Sequence, residues 1–364
     1  MAAVLPEDRT DALFHYYSGG GLDVSGPSIL ARKSVGEHTS LWGNYYIDSI
    51  TSATIDVVTS ASQYTEERTE KTLGVDYLVD KSTLSLSYTN SSENDYLANT
   101  ASFSISQDMF GDLTTVTLGY SRGWDDIWRS TQPKSSFLEK ADRQNYRLGV
   151  TQVLTKNLIA AINFETITDE GYLHNPYRSV DYVDASDPLC ITVRCSQSEV
   201  YPNTHTSHAL AFRGMYYLPY RAALKAEYRL YTDTWGIDGS MVELGYTHPW
   251  KDDWTLDFKY RVYSQTAADF YSDLFTRESQ FIYLARDKEL STFDSQTIGF
   301  GASYEFAKHG WSFIDKGSAL FALDHVQFNY KDFRDDRVQN GVPGTEPLYS
   351  FSANIIRASV SIWY

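Results

Sequence analysis

The chain has 364 residues, 31 basic and 47 acidic, and a formal net charge of -16, which argues against nucleic acid as a partner. No stretch reaches the roughly 20 consecutive apolar residues of a membrane-spanning helix, so a membrane could be crossed only by strands. Aromatic residues make up 15 %, with 28 Tyr and 8 Trp, a content that suits the interfacial girdles of a membrane barrel.

In chain order, the first segment is polar. Residues 12–17 and 28–35 flank the run Gly19-Gly20-Gly21-Leu22-Asp23-Val24-Ser25-Gly26-Pro27. They form either a first hairpin or a small plug over residues 1–40. The glycine run lacks the Lys-Ser/Thr ending of a phosphate loop, which argues against that reading. Tyr45 and Ile47 then alternate with Asn44, Tyr46 and Asp48, and Leu73, Val75, Tyr77 and Val79 with Thr72, Gly74 and Asp76. Residues 83–121 hold three runs of strict alternation. Leu84, Leu86 and Tyr88, then Phe103 and Ile105, then Val116, Leu118 and Tyr120 face one side; only Ser, Thr and Gly face the other. Such alternation marks strands between two different solvents. The same pattern recurs at 146–151, 158–165, 210–217, 224–231, 242–247, 256–263 and 298–306. Residues 320–330 are strand-like, but Asp324 interrupts the expected apolar face, and a bulge would re-aim it. The last run places Ile356, Ala358, Val360, Ile362 and Tyr364 opposite Arg357, Ser359, Ser361 and Trp363.

Connection lengths decide what lies on the apolar side. Short turns at Lys81, Lys156, Tyr220 and Lys251 alternate with long connections at 51–70, 122–142, 168–206, 267–293 and 331–349, apart from a short one near Ile237. Short periplasmic turns and long outward loops are the asymmetry of an outer-membrane barrel, and a soluble sandwich has no reason for it. The expected fold is therefore all-β: one domain over 1–364, a transmembrane antiparallel barrel of about 16 strands, or about 14 around an N-terminal plug, with periplasmic termini. The chain starts Met1-Ala2-Ala3 with neither a basic nor an apolar leader region, so it reads as a mature outer-membrane protein whose signal peptide has been removed. The final strand, through Val360, Ile362 and Tyr364, is expected to serve as the signal to the barrel-assembly machinery.

Parity then assigns charged side chains to the lumen: Arg147, Glu165, Arg213, Lys225, Glu227, Arg229, Glu243, Asp257, Lys259, Arg261, Glu305 and Arg357. Rings of charge select solutes in pores, while mixed charges also neutralise each other across strands. Cys190 and Cys195, in a polar segment without nearby histidines, read as a disulfide clipping an exported loop rather than a metal site. The acidic pairs Glu66-Glu67, Asp125-Asp126 and Asp335-Asp336 lack the spacing of a calcium loop and read as solvated loops; no metal and no cofactor is expected. Trp124, Trp128, Tyr172, Tyr177, Phe270, Tyr271, Phe281 and Tyr283 fall in the expected loops, where they could dock a partner or fold down as a lid. Ser207 and His208 are adjacent on a strand and so point to opposite faces. They cannot act as nucleophile and base, and no enzyme is expected.

The first third carries more than periodicity. Gly19 to Ser28, Ala31-Arg32-Lys33, Tyr45-Tyr46-Ile47-Asp48, Ser52-Ala53-Thr54-Ile55-Asp56-Val57-Val58 and Tyr64-Thr65-Glu66-Glu67-Arg68 together resemble a Gram-negative family of uncharacterised proteins, numbered 3570 among the domains of unknown function. The resemblance extends over the whole chain. It implies an outer-membrane barrel in an envelope redox or export system and assigns no catalytic residue. The function expected from it is a non-enzymatic barrel that holds, displays or exports an envelope partner, such as a small lipoprotein or a periplasmic redox protein. The charged lumen supports a competing reading, a diffusion channel or specific transporter. Outer-membrane lipid and lipopolysaccharide are the expected surroundings.

Overall fold

In the computed structural model, which describes residues 4–52, 64–308, 310–338 and 342–364, alternation becomes a closed wall. Sixteen antiparallel strands form it. They are β1 (Arg9–Gly19), β2 (Leu22–Val35), β3 (Thr39–Ser52), β4 (Tyr64–Val79), β5 (Ser82–Ser92), β6 (Tyr96–Met109), β7 (Thr114–Trp128), β8 (Leu138–Thr155), β9 (Leu158–Gly171), β12 (Thr204–Tyr217), β13 (Ala223–Asp233), β14 (Asp238–Trp250), β15 (Trp254–Gln265), β16 (Phe293–Phe306), β17 (Lys316–Arg334) and β18 (Leu348–Trp363). A small hairpin, β10 (Ser179–Tyr182) with β11 (Cys195–Ser198), lies in the connection between β9 and β12. The ring closes where β18 pairs with β1, from Arg9 opposite Trp363 to Gly19 opposite Ala353. Closure removes both sheet edges, so each strand finds ladder partners on both sides, the condition for crossing lipid with strands. β1 and β2 are wall strands, so the first hairpin, not a plug, is what the glycine run joins. Gly20 and Gly21 take positive φ there, the backbone that a two-residue hairpin turn demands.

Side-chain exposure follows the parity read from the sequence. Leu224, Tyr228, Leu244, Phe258, Ile298 and Val360 are exposed on the outer face, while Glu227, Arg229, Lys259 and Arg261 point inward. β17 carries the instructive correction. Its inner face is Ala322, Asp324, Val326 and Tyr330, all buried; its outer face is Phe321 and Leu323, followed by His325. Asp324 does not interrupt an apolar face, and the register with β16 and β18 is regular through it. The register shift lies further on, between Asn329 and Arg334. The even positions of this strand mislead because its inner wall is packed with Ala, Val and Tyr rather than with hydroxyls.

Several strands run further than their apolar bands. β7 continues to Trp128 and β8 begins at Leu138, so much of the expected loop 122–142 is paired strand, with Trp124 opposite Asp142. Part of the expected connection 51–70 lies outside the described residues. β1 begins and β18 ends at the end of the barrel with short turns, the end expected to face the periplasm by the length rule. The opposite end also has short connections, Gly20-Gly21 and 93–95, beside the long ones at 172–203, 266–292 and 335–347.

Candidate functional site: an ion-paired wall, a hydroxyl strip and a roof

The lumen has two unlike walls. On the side of β12 to β18, long charged side chains lie against the wall in cross-strand pairs. Glu227 and Glu243 are directly opposite in register, a like-charge contact that would repel. Each is relieved by an arginine from its other neighbour: Arg213 donates to both Glu227 oxygens at 2.7 and 3.2 Å, and Arg261 lies 2.6 Å from Glu243. Lys225 reaches Asp257 at 3.4 Å and Arg229 reaches Glu165 at 3.5 Å. Lys259 on β15 and Arg357 on β18 converge on Asp324 of β17, at 2.9 and 2.7 Å. Lys259 must cross β16 to get there, and Gly299 is what it crosses. A Cβ at that position would lie 2.2 Å from Asp324 Oδ1 and 2.6 Å from Lys259 Cε.

The pairing continues past the seam. His15, in register with Arg357, lies 2.7 Å from Asp48 and is stacked on Tyr46 at 5.2 Å. Arg68 also pairs with Asp48, and Arg32 pairs with Asp76, which accepts from Ser85 at 2.6 Å. Higher on the wall His205 is bound at both ring nitrogens, by Asp169 at 3.2 Å and Asp233 at 3.0 Å, with Arg143 on Asp169 at 2.6 Å. Two carboxylate acceptors require both nitrogens to donate, so this histidine is a clamp between β9, β12 and β13, not a free base. Ser207 is buried and faces inward; His208 stacks on Phe164 on the outer face.

Of the twelve charges expected in the lumen, ten stand in the cross-strand pairs above, and Arg147 lies opposite Glu165 in register. Glu305 is at the turn end of β16, 3.2 Å from Lys308, below the charged band. Asp324, Asp48, Asp76, Arg32, Arg68 and His15 take part in the pairing although none was expected among the lumen charges. The signal was available for Asp48 and Asp76, since both alternate with outward apolar residues. Cys190 and Cys195 are joined, with Cα atoms 5.6 Å apart, and Cys190 packs with Val180, Tyr182, Phe275 and Leu284. Val360, Ile362 and Tyr364 end the seam strand, where the Tyr364 hydroxyl donates to the Arg32 carbonyl at 3.2 Å.

The other wall, β5 to β7, is lined by Ser85, Ser87, Thr89, Ser102, Ser104, Ser106, Thr115, Thr117, Gly119 and Ser121. Side chains this short reach less far into the lumen than the paired charges of the other wall.

The connections 266–292 and 335–347 form a roof over the ion-paired side; 172–203 joins it and also reaches the connection between β7 and β8, where the Tyr177 hydroxyl accepts from the Ser130 amide at 2.7 Å. Tyr271 and the inward aromatics Phe293, Phe328, Tyr330, Phe333, Tyr349 and Phe351 make one packed cluster, so the 266–292 segment folds into the mouth rather than away from it. Tyr201, Ile237, Ala268, Ala285 and Leu290 make a second. Between them lies a buried ionic knot. Arg286 contacts Asp273 at 3.3 Å and Asp336 at 3.1 Å, with its guanidinium 4.8 Å from the Phe333 ring. Arg194 links Asp181 and Glu346, at 3.2 and 2.9 Å, and Arg178 pairs with Asp287. Asp335, for its part, is bound by Arg337 at 2.7 Å, so the pair Asp335-Asp336 belongs to the roof and is not solvated.

Glu199 accepts from the Arg286 amide at 2.8 Å inside this knot. Burial, with the Asp287 charge beside it, pushes its carboxyl up from 4.5 to about 7. Its raised value means the folded roof keeps a proton that the unfolded segment has released. The contribution is full below about pH 4.5 and is lost as pH rises to about 7, a change of ~3 kcal/mol. The roof should therefore be firmer at pH 5 than at pH 8. Glu199→Gln should flatten this dependence, read as the urea midpoint of the near-ultraviolet circular dichroism. An unchanged slope in the variant would assign the effect elsewhere.

A closed antiparallel barrel with an outward apolar face and a polar lumen defines a transmembrane barrel of the outer-membrane type. The chain belongs to the family described as "Protein of unknown function (DUF3570)", whose profile matches residues 56–314. No curated protein matches its sequence. Among solved structures it is similar to a "Bacterial polysaccharide outer membrane secretin", with a TM-score of 0.53 and 8 % identity over 99 % of this chain and 100 % of that one. It also aligns with OmpT of Vibrio cholerae, at 0.46 and 11 % over 100 % of both chains. The CymD monoaromatic hydrocarbon channel gives 0.43 and 10 %, over 99 % of this chain and 89 % of that one. At such identities the likeness bears on fold alone, and the two lower scores carry no weight.

Proposed function

We propose that the protein is a non-enzymatic conduit of the outer membrane, passing a hydrophilic cargo along the β5–β7 side of its lumen. One observation carries this reading: the long charged side chains on the β12 to β18 side are tied to one another across strands, whereas β5 to β7 offer the lumen short hydroxyls and glycine. Charges locked in pairs leave a wetted wall rather than a reactive one, and His205, the best-placed candidate base, has both nitrogens committed. One solved structure of similar fold is titled a polysaccharide outer membrane secretin, which agrees with a conduit role. Insertion would depend on the assembly machinery reading Val360, Ile362 and Tyr364. Proteoliposomes carrying the protein should swell in iso-osmotic arabinose; impermeable vesicles containing correctly folded protein would contradict the conduit.

A second reading, display or export of an envelope partner such as a small lipoprotein or a redox protein, is favoured by the roof's outer surface. Leu189 and Ile282 are 80 % and 83 % exposed, with Ile191, Val193 and Phe281 also bare. Co-purification of one protein at fixed stoichiometry, lost when these side chains are changed to Ser, would support it over free diffusion.

A further inference from the structure

Arg147 stands apart from the other basic residues of the inner wall. In register it faces Glu165 on one side and Gly119 on the other. Glu165 is its natural cross-strand partner, yet that carboxylate is used elsewhere: Asn145 donates to one oxygen at 2.9 Å and Arg229 reaches the other at 3.5 Å. Among the described residues no carboxylate lies within ion-pair reach of Arg147. Its side chain turns the other way and lies over Gly119. A Cβ built on that glycine would sit 3.5 Å from Arg147 Cβ, 3.8 Å from its Nε and 3.9 Å from Ser104 Cβ. The guanidinium is exposed, at mid-height of β8, and extends toward the hydroxyl strip of β5 to β7. Every other inner-wall cation named above is neutralised by a fixed carboxylate.

We infer that Arg147 is a binding point for the anionic group of a polyhydroxylated solute, an acidic saccharide being the class that fits. A guanidinium offers a planar fork of donors that matches a carboxylate, phosphate or sulfate. The Ser and Thr hydroxyls beside it both donate and accept, which suits a chain of sugar hydroxyls. The inference rests on the conduit reading for passage but not for binding, and the experiment separates the two.

The probe is trigalacturonate, with maltotriose as its neutral counterpart, tested by calorimetry on the detergent-solubilised protein and by current through planar bilayers. Trigalacturonate should bind and interrupt the current, and maltotriose should bind at least about tenfold more weakly, the loss expected of one charge-assisted contact. Arg147→Ser should erase the difference between the two probes, and Arg147→Lys should restore part of it. Among the described residues no carboxylate pairs with Arg147, so its removal should leave folding intact, checked by heat-modifiable migration. Equal binding of the two probes, or a preference that survives Arg147→Ser, overturns the assignment. Binding of trigalacturonate to a protein that passes no current would leave the Arg147 site standing and contradict the conduit alone.

Discussion

Asp324→Ala is expected to lower the stability of the whole barrel by about 3 kcal/mol, since it strands two cations that share one carboxylate. The range for breaking a buried pair extends higher, but the Arg357 side chain is 43 % exposed, and water in the lumen will screen it. Lys259, at 25 %, is less well hydrated, and Asp324 is its one ion-pair partner among the described residues. Lys259→Ser is expected to cost much less, because Asp324 keeps Arg357. In the double variant Asp324→Ala/Lys259→Ser part of the loss should return, since one stranded charge has gone. Urea unfolding in detergent micelles measures all three. A single Asp324→Ala variant as stable as the parent would mean that the lumen hydrates these groups fully, and that the ionic wall contributes nothing to the fold.

Arg286→Ala should act locally and at least as strongly. It leaves Asp273, Asp336 and Asp181 facing one another inside the roof, with Arg194 and Arg334 near them. Burial already raises the Asp273 and Asp336 carboxyls, so in the variant they should take up protons rather than stay charged. The expected loss is about 3–5 kcal/mol, the usual effect of removing one partner from a buried ionic group. It should fall on the roof alone: the 266–292 segment becomes open to protease while thermal unfolding of the barrel stays where it was. Arg286→Lys should rescue little, because the fork that serves two carboxylates and the Asp273 and Arg334 carbonyls is lost. A roof that stays protease-resistant in Arg286→Ala would show that the aromatic clusters hold it unaided.

The barrel was legible because lipid imposes parity. Leu84, Leu86 and Tyr88 against Ser85, Ser87 and Thr89 can be read without coordinates, and so can the side on which Lys259 and Arg261 lie. Legibility failed where the two faces stop being different solvents. Above the apolar band both faces of β7 and β8 are wet, so Trp124 to Trp128 looked like loop although it is paired with β8. On β17 the inner face is apolar, so Asp324 looked like a defect and not like the centre of an ionic triad. Which charges pair is a matter of register between strands far apart in sequence, and alternation along one strand carries none of it. That is why Arg147 and Arg213 read alike in the sequence, though one has no carboxylate partner among the described residues and the other is held at two points by Glu227. The knot at Arg286 was beyond reach for the same reason, drawing its partners from three separate connections.

The off-centre path is tested most directly by single-channel conductance of two matched variants, Ser104→Trp on the hydroxyl strip and Ser359→Trp on the roofed wall, each with folding confirmed by heat-modifiable migration. The parent should show steady conductance, Ser104→Trp should reduce it severalfold, and Ser359→Trp should leave it nearly unchanged. A parent that conducts nothing, or two variants that respond alike, would contradict the path along β5 to β7.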